Sequence, residues 1–375
     1  MHDKFADFRT AAFRLPFWAL CMDDDKQSGE SNDAKVTTSG GLELLIRFSR
    51  LFGLLAIGGT LAALIASYNW IADLAAQLRV QYLIMLLPAL VLWTRRRQHS
   101  MVIVGGLAFA VNLWFVVPYV IPIAGQASTS LEDAGEGQSS IRLLLLNVLR
   151  TNQQLSETFN EVHSHDADFV FLMEVSPDWK PILENVRGAY PYQKHILRED
   201  YTGVAFLSKH PWLDIKVIDT NDANPPLDVS FPQLKGQSQP FRLIATHPLP
   251  PISPSLTTSR DTQLVALAEQ CRESQPALLV GDFNLAPWSP RFQAILNAGE
   301  LNDSALGYGL SPTLTPLPTV FGGLKVDHVL VTADVNVDSY HVISCAYSDH
   351  KMVIVNFNIA PEAMLPVSMK LSTTQ

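Results

Sequence analysis

Three long apolar runs without a charged residue dominate the first third of the chain, at residues 51–72, 80–94 and 101–123. A helix needs about 20 apolar residues to cross the hydrocarbon core of a bilayer, which is roughly 30 Å thick. The first and third runs are long enough, whereas the second can span only if Arg79 extends its charged end to the membrane interface. We therefore predict an all-α transmembrane anchor over residues 47–123, with helices at about 51–72, 78–94 and 101–123.

Clusters of arginine predict the orientation of this anchor. Arg47 and Arg50 precede the first run, and three arginines at 95–97 connect the second run to the third. Since Lys and Arg concentrate in cytoplasmic loops, both clusters and a polar tail at residues 1–46 are expected in the cytoplasm. Three crossings then place the chain after residue 124 outside the cytoplasm. The alternative is a re-entrant middle run, which would leave the C-terminal part inside and export the arginine triplet.

The rest of the chain has the composition of a soluble domain between two loose segments. Residues 124–140 are small and polar, as in a flexible linker, and residues 361–375 lack any periodicity. The region between them, 141–360, carries a net charge of −8, so no basic field attracts nucleic acid. Three cysteines without a C-x-x-C spacing exclude a disulfide scaffold and a zinc site built from cysteines.

Short apolar runs within residues 141–360 predict buried strands. They are rich in Val, Ile, Leu and Phe, and turn-forming residues bound them. The runs occupy residues 141–146, 168–172, 204–207, 241–245, 277–280, 329–332 and 352–357. Helical patterns at 154–165 and 262–273 lie between some of the runs, so the predicted fold class is α/β.

Polar residues stand at or beside the ends of these runs. They are Asn147, Glu174, His247, Asp282, Asn284, Asp327, Asp349 and His350. Each one alone is more typical of a turn, a helix cap or a structural histidine than of a ligand. Because loops at strand ends project side chains from a rigid sheet edge, their joint occurrence favours a functional site assembled at that edge.

Seven motifs, in order along the chain, resemble a known family. The segments LLLLNV, FLMEV, YTGVAFLS, ATH, GDFN, VDHVL and YSDH together resemble the endonuclease/exonuclease/phosphatase family over residues 141 to about 358. The resemblance implies a four-layer sandwich of two mixed β-sheets flanked by helices. The helical leader resembles that of a bacterial membrane-anchored branch, which with the arginine pattern implies an inner-membrane protein whose catalytic domain is periplasmic.

The resemblance also implies metal and substrate roles. Glu174 would be the first metal ligand, with Asn147 and Asp349 assisting, and Mg²⁺ is the expected cation, with Mn²⁺ as a substitute. Tyr201 matches the position of a substrate-binding tyrosine, and a packing or surface role is the alternative. Arg260, on the helix after the ATH motif, either reaches the site or belongs to the helix surface.

Catalytic roles are implied for five further residues. Asp282 would orient and deprotonate the attacking water, and Asn284 would donate a hydrogen bond to the phosphate. His350 would contact the phosphoryl group as a cation, because Asp327 orients the ring and favours its protonated form. His247 would be a second histidine in contact with the phosphate.

The expected function is hydrolysis of a phosphodiester or phosphomonoester by a membrane-anchored, metal-dependent enzyme. A nuclease surrounds its site with Lys and Arg, because phosphate contacts supply most of the non-specific affinity for nucleic acid. The net charge of −8 over 141–360 therefore favours a lipid or small-molecule substrate, with nucleic acid as the second candidate. A non-catalytic binding or scaffold module is disfavoured, because every expected site position is filled. The sequence leaves the oligomeric state open.

Overall fold

The structure is a computed structural model that describes residues 33–122, 140–219, 224–315 and 322–360. The chain divides into a unit of residues 1–47 and a unit of residues 48–375, and the side-chain contacts described below all lie within the second unit. The predicted linker at 124–140 lies outside the described residues except for Ser140. The predicted C-terminal tail at 361–375 and most of the N-terminal tail at 1–46 also lie outside them.

Four helices precede the strands in the described chain. They are α1 (Asp33–Ala63), α2 (Trp70–Ala76), α3 (Arg79–Arg95) and α4 (His99–Val120). The prediction of one helix over 51–72 is wrong, because α1 ends at Ala63 and a new helix begins after Asn69. The side-chain oxygen of Asn69 accepts hydrogen bonds from the backbone N–H groups of Ile71 and Ala72. Asparagine is favoured at this N-cap position, which explains why α2 begins at Trp70.

Within the part of the chain that the structure describes, two segments, Glu43–Ala63 and His99–Val120, are long and apolar enough to cross a membrane. Helices α2 and α3 pass the same test only together, as a pair bent by 61°. Such a bend is typical of a broken span or of a re-entrant loop. The segments Glu43–Ala63 and His99–Val120 therefore indicate membrane association, and the third crossing stays a prediction.

Arg79 lies inside the helical bundle. Its Nη1 donates to Asn112 Oδ1 at 3.2 Å, and its guanidinium carbon lies 3.8 Å from the ring centroid of Phe115. Asn112 in turn donates to Thr60 Oγ1 at 2.7 Å, so polar contacts connect α1, α3 and α4. The condition set for the second run, that Arg79 extends to the membrane interface, has an alternative here, because Arg79 is buried against α4 and a charge within a membrane is also tolerated where it faces the bundle interior and has polar partners.

The region after residue 140 is built around two six-stranded sheets. The first sheet contains β1 (Ile141–Asn147), β2 (Phe169–Met173), β3 (Tyr192–Ile196), β4 (Val204–Ser208), β11 (Val335–Ser344) and β12 (Lys351–Ile359). The second contains β5 (Asp214–Val217), β6 (Leu227–Phe231), β7 (Phe241–Thr246), β8 (Ala277–Asp282), β9 (Asn302–Asp303) and β10 (Asp327–Val331). The strand orders are β11-β12-β1-β2-β4-β3 and β5-β6-β7-β8-β10-β9.

Both sheets are arranged in the same way. Each has a parallel pair at its centre, β1 with β2 and β7 with β8, and antiparallel neighbours on both sides. A parallel pair needs a crossover connection, and the helices α5 (Leu155–Ser164) and α7 (Pro254–Glu273) provide it. The C-terminal ends of β1 and β2 therefore occupy the same place in the first sheet that the C-terminal ends of β7 and β8 occupy in the second.

The central strands are buried on both faces, because successive side chains point to opposite sides of a sheet. In β1, Leu143 and Leu145 face a core between the sheets, whereas Leu144 and Leu146 pack under α5 and α6 (Lys180–Asn185). The second sheet packs its outer face against α7 and α8 (Pro290–Gly299). This order of helix, sheet, sheet and helix confirms the predicted fold class, a four-layer α/β sandwich of two mixed sheets.

Candidate active site

Strand ends from both sheets meet at one edge of the sandwich. Because β1 and β2 are parallel, Asn147 at the end of β1 and Glu174 directly after β2 lie side by side. Asp282 ends β8, and the antiparallel β10 begins at Asp327, which is directly paired with it. β12 runs antiparallel to β1, so His350, which precedes β12, lies beside the end of β1. The predicted convergence of these residues is thus a consequence of strand direction.

Asp327 and His350 form a buried hydrogen-bonded pair. His350 Nδ1 lies 2.8 Å from Asp327 Oδ2, and His350 Nε2 lies 3.7 Å from Asp282 Oδ2. Burial lowers the pKa of His350, but the charges of Asp327 and Asp282 outweigh it and raise the pKa to about 10. Burial, followed by the charge of Asp327, raises the pKa of Asp282 to about 6. At neutral pH the site therefore holds an imidazolium between two carboxylates.

Asn147 connects the carboxylates of the two sheets. Its Nδ2 donates to Glu174 Oε1 at 3.1 Å and to Asp282 Oδ2 at 3.3 Å, and its Oδ1 accepts from the backbone N–H of Leu149 at 3.1 Å. Glu174 Oε2 accepts from the backbone N–H of Arg150 at 2.9 Å. Glu174 also has a φ of 63°, and such left-handed backbone costs a non-glycine residue about 1–3 kcal/mol and is common at functional sites.

Asn284 and His247 approach Asp282 from the loops after β8 and β7. The backbone N–H of Asn284 donates to Asp282 Oδ1 at 2.8 Å, and the side-chain Nδ2 of Asn284 donates to the carbonyl of Pro248 at 3.1 Å. His247 Nε2 lies 3.6 Å from Asp282 Oδ2. Asp282 Oδ2 therefore faces two imidazoles and the Asn147 amide, and it lies at the centre of the site.

Asp349 and Tyr201 lie at the margin of this arrangement. Asp349 is half-buried beside His350, and its carbonyl accepts from the backbone N–H of Thr315 at 2.9 Å. Tyr201 lies in the turn before β4 with 37% of its surface exposed. The roles expected of these two residues, in metal binding and substrate binding, stay predictions.

The sequence matches the profile of the Endonuclease/Exonuclease/phosphatase family over residues 139–350. The chain belongs to this family. The resemblance carried by the seven motifs is confirmed at this level, whereas the assignment to a membrane-anchored branch stays a prediction. Comparison with curated proteins gives no match.

Of three solved structures with a similar fold, two have names that include a bound molecule, a product DNA hairpin in one and a sulfate anion in the other. The humanized D. rerio TDP2 is 18% identical over 58% of this chain and 99% of its own, with a TM-score of 0.49. The 3′ phosphatase NExo from Neisseria, bound to a product DNA hairpin, is 19% identical over 58% and 99%, with a TM-score of 0.48. The human Nocturnin catalytic domain with bound sulfate is 15% identical over 59% and 95%, with a TM-score of 0.45. These values are too low to transfer a substrate.

Members of the endonuclease/exonuclease/phosphatase family generally use a divalent metal, and the donors of this site suit one. Asp282, Asp327 and His350 bring ligand atoms within 4.8 Å of one another. His350 is nevertheless a poor ligand, because a protonated imidazole has no free lone pair. The carboxylate of Glu174 offers two oxygens with lone pairs beyond those in its hydrogen bonds, and hard cations prefer such oxygens. Asn147 turns its nitrogen toward the carboxylates, so it contributes a hydrogen bond here, and its metal role stays a prediction.

Two supporting residues had no place in the sequence prediction. Ser348 Oγ donates to the carbonyl of Asn147 at 2.6 Å and accepts from the backbone N–H of His350 at 3.0 Å, which fixes the histidine against β1. Thr313 Oγ1 accepts from the backbone N–H of Asp327 at 3.1 Å. Ser348 lies in the SDH motif, where a serine two residues before a histidine could have suggested a turn. Thr313 lies in an irregular segment and carries no such signal.

Proposed function

We propose that this protein is a membrane-anchored, divalent-metal-dependent phosphoesterase. The observation that carries the proposal is the buried pair of Asp327 and His350, 2.8 Å apart, with His350 Nε2 facing Asp282 at 3.7 Å. This geometry supplies an acid for the phosphoryl group and a base for water in one pocket. A buried polar group that has only a structural role needs no more than a hydrogen-bond partner. Here side chains from both sheets converge on a single carboxylate oxygen, Asp282 Oδ2.

Asp282 is the base in this proposal. With a pKa of about 6 it is mostly ionised near neutral pH and remains basic enough to take a proton from water. The N–H of Asn284 fixes Oδ1, so Oδ2 is the oxygen that orients the attacking water. His350, kept protonated by Asp327, donates through Nε2 to a phosphoryl oxygen and offsets the charge that develops there. His247 is a second donor on the same side.

Glu174 holds the cation in this proposal, with Mg²⁺ as the expected ion and Mn²⁺ as a substitute. A bound divalent cation neutralises phosphate charge and polarises the ester. Glu174 is prepared for this role because Asn147 and the backbone of Arg150 fix its two oxygens. Asp349, half-buried beside His350, is the candidate for an outer contact to the hydrated ion.

A lipid or small-molecule phosphoester is the substrate class that we favour. The net charge of −8 over 141–360 repels a polyanion, which weakens the case for nucleic acid. The anchor also contacts the domain directly, since Val80 of α3 and Val116 and Tyr119 of α4 pack with its central core. A site held in this way stays near the membrane surface, where lipid headgroups are concentrated. A membrane-tethered nuclease is the second candidate, because the nucleic-acid backbone is a phosphodiester and would be hydrolysed by the same chemistry.

The proposed location is the bacterial inner membrane, with three crossings and the catalytic domain on the periplasmic side. The domain contacts lie at Val80, near the start of α3, and at Tyr119, near the end of α4. The arginines at 95–97 lie between the opposite ends of these two helices. The positive-inside rule assigns those arginines to the cytoplasm, which supports a domain on the other side.

The test uses the full-length protein in phospholipid nanodiscs with Mg²⁺. Four substrates distinguish the candidates: bis(p-nitrophenyl) phosphate, p-nitrophenyl phosphate, a phospholipid with a diester headgroup, and a single-stranded oligonucleotide. We expect hydrolysis of the headgroup diester that needs a divalent ion, is lost in His350→Ala and is kept in His341→Ala, a half-buried histidine of β11. Faster cleavage of the oligonucleotide would favour the nuclease, and a folded protein inactive on all four with Mg²⁺ or Mn²⁺ would contradict the enzyme class.

A further inference from the structure

Helix α2 of the anchor contacts the loop that follows the central catalytic strand. This loop, residues 283–289, connects Asp282 at the end of β8 to α8 and is called the β8–α8 loop below. Trp288 Nε1 donates to the carbonyl of Gln77, the residue after α2, at 2.9 Å. Ser289 Oγ donates to Asp73 Oδ1. Two residues at the end of the loop are therefore bonded to the anchor.

Asp73 of α2 also forms an ion pair with Arg260 of α7. Arg260 Nη2 lies 3.3 Å from Asp73 Oδ2, and both side chains have 0% exposure. Arg291 Nε lies 3.5 Å from the same oxygen. Asp261 accepts from Arg260 and from Arg291, so two carboxylates and two guanidinium groups balance in charge. Removing one partner of such a buried cluster leaves an uncompensated charge.

Arg260 connects this ion pair to the active site. Its Nη1 donates to the carbonyl of Asn284 at 2.8 Å. Asn284 has a φ of 50°, and its backbone N–H donates to Asp282 Oδ1 at 2.8 Å. A short series of contacts thus runs from Asp73 through Arg260 and Asn284 to Asp282. Each link is a hydrogen bond or an ion pair of 3.3 Å or less.

We infer that Asp73 is a positioning residue for the active site, so that the anchor completes the catalytic domain as well as attaching it to the membrane. Without the charge of Asp73, Arg260 is drawn toward Asp261, which already accepts from its Nε and Nη2. Its bond to Asn284 then weakens, and Asn284 no longer fixes Asp282. The inference deepens the proposed function and rests on it, since it assigns Asp73 to the setting of the proposed base.

The experiment compares Asp73→Asn with a matched variant in full-length protein in nanodiscs. The match is Tyr119→Phe, which removes a buried hydrogen bond of 3.0 Å from the anchor to Asp303 of the domain and keeps the ring that packs edge-on against Trp288 of the β8–α8 loop. For Asp73→Asn we expect kcat to fall about tenfold or more with KM changed less than about twofold, because misplacement of a catalytic group by a fraction of an ångström affects the chemical step. Tyr119→Phe should retain the kcat of the unmodified protein.

Hydrogen exchange provides a readout that does not depend on activity. In Asp73→Asn, amides of residues 283–289 should exchange faster while those of β2 are unchanged, because only this loop loses its support. Asp73→Glu, which keeps the charge, should recover at least part of kcat and of the protection. If Asp73→Asn does not fold, Trp288→Phe removes the other loop contact and should accelerate the same exchange.

The outcomes separate this inference from the proposed function. Unmodified protein that is inactive on every substrate contradicts the proposed function, and loop exchange alone then decides on the contacts of Asp73. Active protein in which Asp73→Asn retains both kcat and loop protection would overturn the inference. Equal losses in Asp73→Asn and Tyr119→Phe would also overturn it, because they would indicate a general effect of loosening the anchor.

Discussion

Replacing Asp327 by Asn tests whether His350 acts as a cation. The change keeps the shape of the side chain, and the amide oxygen can still accept a hydrogen bond from Nδ1, but the negative charge is lost. The charge of Asp327 is the largest of the effects that raise the pKa of His350 to about 10. In the variant we therefore expect this pKa to fall toward the ordinary value of 6.5.

The size of the effect follows from the fraction of protonated imidazole. At pH 8 an imidazole of pKa about 10 is about 99% protonated, and one of pKa 6.5 is about 3% protonated. Activity that depends on the cation then falls by about thirtyfold if the pKa returns to 6.5. In the variant Asp282 still raises the pKa of the ring, whereas burial still lowers it, so these two effects act in opposite directions on the size of the loss. Below the lower pKa both proteins carry the imidazolium, so this loss shrinks as the pH falls and the basic limb of the profile moves to lower pH.

The assay is kcat as a function of pH, from about pH 6 to about pH 10, at saturating metal. The control is Asp338→Asn. Asp338 lies on the edge strand β11, and its carboxylate accepts hydrogen bonds from Ser140 Oγ and Asn358 Nδ2. Two residues that act as a unit give non-additive losses, so Asp327→Asn combined with His350→Ala should be little worse than His350→Ala alone. A basic limb that does not move, or losses that multiply, would refute the reasoning.

Three further predictions concern the metal, the fold and the topology. Glu174→Gln should abolish most activity while leaving the fold intact, and EDTA should also abolish activity, reversibly; a variant with an unchanged metal requirement would contradict Glu174 as the ligand. Gly281→Ala should lower the free energy of unfolding by about 3 kcal/mol or more, because a Cβ there would lie 1.7 Å from the carbonyl oxygen of Thr246. A Cβ at Gly188 would have no atom within 4 Å, so Gly188→Ala should change the free energy of unfolding little; a denaturant titration measures both. Alkaline phosphatase fused after residue 140 should be active in bacterial cells if three helices cross, and an inactive fusion with a fluorescent counterpart would indicate two crossings.

Apolar composition decided which strands could be predicted from the sequence. The seven predicted runs correspond to β1, β2, β4, β7, β8, β10 and β12. Strands β3 and β5, with the sequences YQKHI and DIKV, are outermost in their sheets and partly exposed, so a search for apolar runs does not find them. The site residues could be predicted because the buried strands end where polar residues begin.

The contacts of the anchor could not be predicted in the same way. Asp73 and Arg260 are 187 residues apart, and no local pattern marks either one as the partner of the other. A lone aspartate beside an apolar run is typical of an exposed helix end. Only packing of α2 on α7 brings the pair together, and packing between distant segments has no signature in periodicity.

The pairing of β1 with β12 has a consequence for the order in which the protein is made. Ile141 pairs with Phe357, so the first strand of the domain cannot acquire this neighbour until the last strand has left the ribosome. Until then β1, whose side chains are almost all buried in the finished protein, has an open apolar edge, and such edges favour aggregation. His350, next to β12, is also the last candidate catalytic group to be synthesised. A chain that lacks β12 therefore holds Glu174 and Asp282 without His350, and the candidate site is assembled only when β12 has paired with β1.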